Sequence, residues 1–372
     1  MLDDVGKNLT FIFGYMIMKK SIFALALLGA FSGAAFAQST VTIYGVVDVG
    51  FQSLDNGTPA GRFNKLQSGQ EAGSRIGFKG VEDLGGGLKA NFVLEQGVLV
   101  DTGESDQGRT FGRRSTVGLS GDFGAVDFGR DKSPTLKYFD NFDPFGSALI
   151  NSGTGVRALY FVGGSATVAG VNANSTGRVS NSVFYSTPGN LSGFSAAAQY
   201  GFGEAAGDNS AGRSLGLTLG YKVDALEVGF NYLKDNAQDA KLFTNAKKGI
   251  SVAASYDFGV AKPVFIYQKT TDDLTLDKKA YTLAVTVPVD ANGKVFAGFT
   301  QLKNSTPFNA ISQVGDAKQF AIAYNYSLSK RTDLYTAFAR LTQDANSREQ
   351  LAATAVSGAS VKELTAGVRH QF

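Results

Sequence analysis

The 372-residue chain has no cysteine, a single histidine and only seven prolines. The missing cysteine excludes a thiol nucleophile, a cysteine-type zinc site and a disulfide framework. It also suits a chain that crosses an oxidising compartment before it assembles. The one histidine, His370, lies almost at the C-terminus, which leaves little basis for Ser–His or His–Asp chemistry. No enzyme activity, cofactor or metal is expected. A net charge of +3 is too small to bind nucleic acid by bulk electrostatics. After residue 37 no apolar run approaches the ~20 residues of a membrane helix. What is plentiful is glycine, 46 residues, with 29 Phe and 14 Tyr. Many strands, tight turns and interfacial aromatic belts produce that balance.

The N-terminus carries its own pattern. Met18-Lys19-Lys20 leads into an apolar run from Ile22 to Phe31, then Ala35-Phe36-Ala37 before Gln38. A basic region, an apolar region and an A-x-A-type site make a secretory signal peptide. The apolar run, about ten residues, is too short to span a bilayer. Residues 1–17 would place Lys19 and Lys20 inside a longer apolar segment, so they read as a misassigned extension. The expected division is therefore extension 1–17, signal 18–37 and mature chain 38–372.

From Gln38 onward apolar residues recur every second position. At the C-terminus Leu364, Ala366, Val368, His370 and Phe372 alternate with Thr365, Gly367, Arg369 and Gln371. Near the mature start, Val41, Ile43, Gly45, Val47, Val49 and Phe51 alternate with Thr42, Tyr44, Val46, Asp48 and Gly50. Period two is a strand with unlike faces. No 3.6-residue stripe is sustained, so no helix is expected outside the longest loop. Connections alternate in length. Short turns fall at 83–87, 121–124, 187–193, 223–225, 257–260, 288–293 and 327–332; long polar loops fall at 53–74, 100–112, 131–177, 203–213, 235–247, 271–278, 303–317 and 343–361. Short turns on one rim and long loops on the other predict a sixteen-stranded antiparallel transmembrane β-barrel. A soluble β-sandwich would need two apolar faces packed together. The second face here carries Arg75, Lys79, Lys89, Glu95, Glu363 and Arg369, which suits a water-filled lumen.

Several blocks also resemble a known family. They are VTIYGVVDVGF, VEDLGGGLKANFVLE, FGRRSTVGLSGDFGAVDFGR, NSVFYSTPGNLSGF and the terminal GVRHQF. In this order they are similar to the general porins of β-proteobacteria over nearly the whole mature chain. The resemblance implies an outer-membrane channel for passive diffusion of small hydrophilic solutes and ions. It implies a homotrimer set in outer-membrane lipid and lipopolysaccharide, and a third loop, 131–177, folded inward to narrow the pore. It also implies that the closing strand's terminal aromatic, Phe372, is the signal read by the barrel-assembly machinery. A substrate-specific channel or a surface adhesin barrel is the alternative function.

The family's constriction sets acidic residues of the inward loop against basic residues of the wall. The matching positions are Asp140 and Asp143 in the loop and Arg75, Arg113 and Arg178 on the wall. Asp140 and Asp143 are also placed to cap a short loop helix. Ile76 and Phe78 are assigned to lipid, so the alternation turns Arg75 inward; Arg178 shares parity with Ser180 and Ser182, opposite to Val183 and Tyr185, and also points inward. If Val117 and Leu119 face lipid without a bulge, Arg114 faces the lumen in place of Arg113, and both stay candidates. Arginine suits this role because its charge is permanent and weakly hydrated. These arginines outnumber the loop carboxylates, so weak anion preference is expected. Glu95, Asp48, Glu82 and Asp127 are the wall carboxylates that would oppose it.

Overall fold

The computed structural model describes residues 40–146, 177–204, 206–236, 247–272, 277–305, 315–347 and 356–372. The expected extension, the signal segment and the second part of the 131–177 loop lie outside the described residues. The elements are β1 (Thr40–Asp55), β2 (Phe63–Ser68), β3 (Arg75–Gly85), β4 (Leu88–Leu99), β5 (Glu104–Ser105), β6 (Arg114–Gly121), β7 (Gly124–Lys132) and helix α1 (Pro134–Phe142). They continue with β8 (Arg178–Ser186), β9 (Phe194–Gly201), β10 (Ser214–Val223), β11 (Leu226–Asp235), β12 (Lys247–Tyr256) and β13 (Lys262–Asp272). The last five are β14 (Asp277–Pro288), β15 (Gly293–Asn304), β16 (Ala317–Ser327), β17 (Thr332–Gln343) and β18 (Val361–Gln371).

Apart from the short strands β2 and β5, each strand pairs antiparallel with the next, and β18 pairs with β1 to close the ring. The strands β2 and β3 pair with successive stretches of β1, and β5 and β6 with successive stretches of β4. Each couple is one interrupted barrel strand, so the closed barrel has sixteen strands. Closure matters because an open sheet edge leaves backbone groups unpaired, which the hydrocarbon layer does not tolerate. The seam is sealed at its end by the terminal residue. Gly45 N–H donates to the Phe372 carbonyl and Phe372 N–H to the Gly45 carbonyl, each at 3.1 Å.

Side-chain parity runs consistently around the ring. On β1 Ile43, Val47 and Phe51 point outward and are exposed, while Asp48 and Gln52 point inward. On β17 Leu334 and Phe338 are outward and Asp333, Tyr335 and Ala337 inward. The outer surface is thus apolar and the inner one polar, the inversion of a soluble core that a membrane barrel requires. The short 3-10 turn Asp106–Gly108 sits in the second long loop.

The main buried apolar contacts lie inside the barrel. Helix α1 starts at Ser133, whose Oγ accepts from Leu136 N–H at 3.1 Å, with Pro134 at its first position. Both features favour a helix start. Tyr138, Phe139 and Phe142 pack on Ala253 of β12 and on Val264 and Ile266 of β13. The helix can approach because β11 carries glycine at 229, where a Cβ would meet the rings of Tyr138 and Phe142. Tyr138 also donates to the Gly229 carbonyl at 3.2 Å. Farther along, Phe145 joins the inner wall of β16–β18 beside Ala321, Ala337 and Leu341. The described start of the third loop is therefore folded into the lumen. Each large apolar side chain buried there contributes about 1.5–3 kcal/mol.

Candidate pore constriction

The basic groups gather on the inner wall formed by β3, β4, β6 and β7. Register explains why. Glu95 stands directly opposite both Gly77 and Arg114, and Arg75 lies two residues along from Gly77 on the same face. Glu95 is the hub. Its Oε1 accepts from Arg113 Nε at 2.7 Å, and its Oε2 lies 3.6 Å from Arg75 Nε and accepts from Tyr44 OH at 3.0 Å. Arg75 also donates to the Gly73 carbonyl at 2.9 Å.

Arg113 and Arg114 both reach the inner face. Arg114 does so by strand parity, with Val117 and Leu119 exposed on the outside. Its guanidinium lies 3.2 Å from Asp127 Oδ2 and 3.6 Å from Asp131 Oδ2. Arg113 precedes β6, and its N–H donates to the Glu95 carbonyl at 3.2 Å. From there its guanidinium packs against Gly73, where a Cβ would lie 2.5 Å from Nη1. Arg113 is only 7% exposed, whereas the side chains of Arg75 and Arg114 keep 26% and 29%. Arg113 is thus buried against Glu95, while Arg75 and Arg114 are partly exposed on the inner face.

Arg178 differs from its expected geometry. Parity with Ser182 does not carry through, because β8 has an extra residue there. Gly129 pairs with Ser182 but Asp131 pairs with Val179, and Asn181 adopts φ 52°. This is a bulge, which reverses the alternation beyond it. Arg178 joins the cluster by another route, donating from Nε to the Arg113 carbonyl at 3.0 Å.

The two loop carboxylates have separate fates. Asp140, on α1, accepts from Lys132 Nζ at the end of β7 and keeps 24% of its side chain exposed. Asp143 is 4% exposed. It closes the helix, with its N–H donating to the Phe139 carbonyl at 2.8 Å and its Oδ1 accepting from Phe145 N–H at 3.0 Å. Its lumen exposure is thereby replaced by the capping geometry. Burial pushes the nearby Tyr138 hydroxyl well above its ordinary pKa.

Some participants were not singled out from sequence. Lys132 and Lys137 bind Asp140 and Asp131 respectively. Their only signal was their place at the loop's start. Asp48 points inward but is fully buried, roofed by the segment between β2 and β3. Its Oδ2 accepts from the N–H groups of Glu71 at 2.9 Å and Ala72 at 2.6 Å, and its Oδ1 from Tyr335 OH at 2.6 Å. Asp48 therefore does not line the channel. Glu82 lies on the outward parity of β3, beside the short-turn rim. His370 is on the outer face, its Nδ1 2.9 Å from Thr332 Oγ1.

Acidic and basic groups are thus interleaved on one wall rather than divided between two. Arg75, Arg113, Arg114, Arg178, Lys132 and Lys137 still outnumber Glu95, Asp127, Asp131 and Asp140. A closed antiparallel barrel with an apolar exterior, a polar interior and a loop folded into it is a membrane channel of the porin class.

The chain belongs to the Gram-negative porin family, whose sequence profile matches residues 24–346. It is 36% identical to outer membrane porin protein 32 of Delftia acidovorans over 95% of this chain and all of the relative. It is 32% identical to an outer membrane porin of Bordetella pertussis, again over 95% of this chain and all of the relative. Among solved structures it is similar to an anion-selective porin from Comamonas acidovorans, with TM-score 0.76 and 31% identity. That match covers 90% of this chain and all of the other. The protein is an outer-membrane porin.

Proposed function

We propose that this porin passes small hydrophilic solutes and ions by diffusion with a weak preference for anions. The excess of cations on the β3–β7 wall carries the reading. The similar structure from Comamonas acidovorans is an anion-selective porin, which supports it. Fixed charges of one sign at a narrow zone raise the local concentration of counter-ions. In this reading Arg75 and Arg114 set the potential, Arg113 and Arg178 brace them, and Asp140 tempers it. The function is passive and non-enzymatic: the sole histidine lies on the outer face, away from any carboxylate–hydroxyl pair in the lumen.

The assembly proposed with it is a homotrimer in outer-membrane lipid and lipopolysaccharide. The chain is exported after cleavage behind Ala37 and inserted by the barrel-assembly machinery through Phe372. Mass spectrometry of exported protein should find Gln38 first. The selectivity test is the reversal potential across a salt gradient in a planar bilayer. Replacing Arg75, Arg114 and Arg178 together by alanine should move it toward cations. An unchanged potential at low salt, with the barrel intact, would overturn the assignment.

A further inference from the structure

The barrel strand that follows β1 is broken in the middle. Ser68 ends β2 opposite Val49, and Arg75 begins β3 opposite Val46. Residues 69–74 therefore stand against only Val47 and Asp48. The surplus chain bows inward, far enough for Glu71 to accept from Asn325 Nδ2 of β16 at 2.5 Å. One residue holds it there. The Asp48 carbonyl accepts from Gly69 N–H and from Ser74 Oγ, each at 2.9 Å, which pins both ends of the segment. The Asp48 carboxylate takes the N–H groups of Glu71 and Ala72 between them. Ser74 Oγ in turn accepts from Asp48 N–H at 3.0 Å.

Asp48 is itself held from two strands away. Tyr335, on β17, donates to its Oδ1 at 2.6 Å. The side chain gets there by lying across β18. Gly367 stands opposite Tyr335, and Gly50 opposite Gly367. A Cβ at either glycine would collide with the Tyr335 hydroxyl, so two glycines in register open the lane. A buried carboxylate costs stability unless it is hydrogen-bonded, and these partners satisfy it. At the other end of the segment, Gly73 meets the arginine wall. Its carbonyl accepts from Arg75 Nη1 at 2.9 Å, and its bare α-carbon lies against the Arg113 guanidinium. A carbonyl fixes a guanidinium in place without cancelling its charge, whereas the Glu95 carboxylate cancels it.

We propose that Tyr335 and Asp48 are positioning residues for the channel's charge selectivity, acting through segment 69–74 on Arg75 and Arg113. Neither lies on the solute path: Asp48 is fully buried and Tyr335 is 4% exposed. The contacts run from the Tyr335 hydroxyl to the Asp48 carboxylate, then through the Glu71 and Ala72 amides to the Gly73 carbonyl and the Arg75 guanidinium. Loosening the segment lets Arg75 close on Glu95, now 3.6 Å away. The lumen then loses positive potential without losing an arginine. The relay crosses the seam between β18 and β1, so these arginines are set in place only in the closed barrel. The proposal rests on the anion preference given above.

The test is the reversal potential of the purified, folded porin across a low-salt gradient in a planar bilayer. Tyr335→Phe keeps the ring over the two glycines and removes only the hydroxyl, so the charge of the barrel is unchanged. It should move the potential toward cations. It should also speed hydrogen exchange at residues 69–74 by about tenfold, the effect of losing one hydrogen bond to a charged group. Made in an Arg75→Ala, Arg113→Ala background, the same substitution should add no shift, because residues that act through one another are not additive. Asp48→Asn separates position from charge. Loss of a carboxylate by itself favours anions; loss of the anchor should favour cations. An unchanged potential in Tyr335→Phe, an equal shift in both backgrounds, or a shift toward anions in Asp48→Asn would overturn the proposal. If Tyr335→Phe does not assemble, Ser74→Ala, which frees one end of the segment, should give the same shift toward cations, and its absence would overturn the proposal equally. A wild type without anion preference would instead refute the selectivity reading; the relay would then stand or fall on the difference between wild type and Tyr335→Phe.

Discussion

Glu95 shows how one carboxylate sets the character of this channel. It binds two guanidiniums and a tyrosine hydroxyl, so it neutralises charge that the lumen would otherwise feel. Glu95→Gln should therefore shift the reversal potential toward anions, opposite to loss of Arg75. The shift should shrink with salt, because the Debye length falls from ~10 Å at 0.1 M to ~3 Å at 1 M. A shift toward cations would mean that Glu95 chiefly holds Arg113 in place. Glu71 makes a second case. It lies between β2 and β3, and its Oε2 lies 3.5 Å from Arg369 Nε. Burial, then the neighbouring Asp48 and Asp333 carboxylates, push its pKa from 4.5 up to about 7, with Arg369 opposing them. The folded pKa lies above the ordinary value, so ionisation opposes the roof over Asp48. Its contribution to stability should be full below pH 4.5 and fall as pH rises through about 7. Hydrogen exchange at residues 69–74 should accelerate over that window, and Glu71→Gln should abolish the dependence.

At the level of the element, α1 and β18 do different work. The aromatic face of the helix is docked on β12 and β13, and the proposed narrowing of the pore depends on that contact. Phe139 is 1% exposed at the centre of that contact. Phe139→Ala should cost about 3–5 kcal/mol of docking energy. The expected readout is a larger, noisier single-channel conductance with the barrel still heat-resistant. An unchanged conductance would detach the helix from the constriction. The strand β18 closes the ring, and Phe372 makes the last backbone pair with Gly45. Deleting Phe372 should depress the yield of assembled barrel in the outer membrane rather than alter conductance. Normal yield and heat resistance of the shortened chain would refute its role in assembly.

For the whole molecule, the sequence by itself determined the architecture. Period-two alternation has only one period to express, and glycine-rich turns alternating with long loops count the hairpins. Strand number, closure and the inside–outside pattern follow from those local signals, because each strand sorts its own side chains between lipid and water. Arg75 and Arg114 were readable for the same reason. What tertiary structure alone decided was set by contacts between distant segments. The bulge at Asn181 breaks parity before Arg178, and nothing within β8 announces it. Arg113 fits beside Glu95 with its guanidinium against Gly73, in the segment between β2 and β3, where a Cβ would clash. Asp143 caps α1 instead of facing the pore, which depends on where the helix ends. Ile266, hidden in an apolar triplet without alternation, packs inward because α1 covers it. A strand's two faces are local properties of its sequence; which charges become neighbours is a property of the closed sheet.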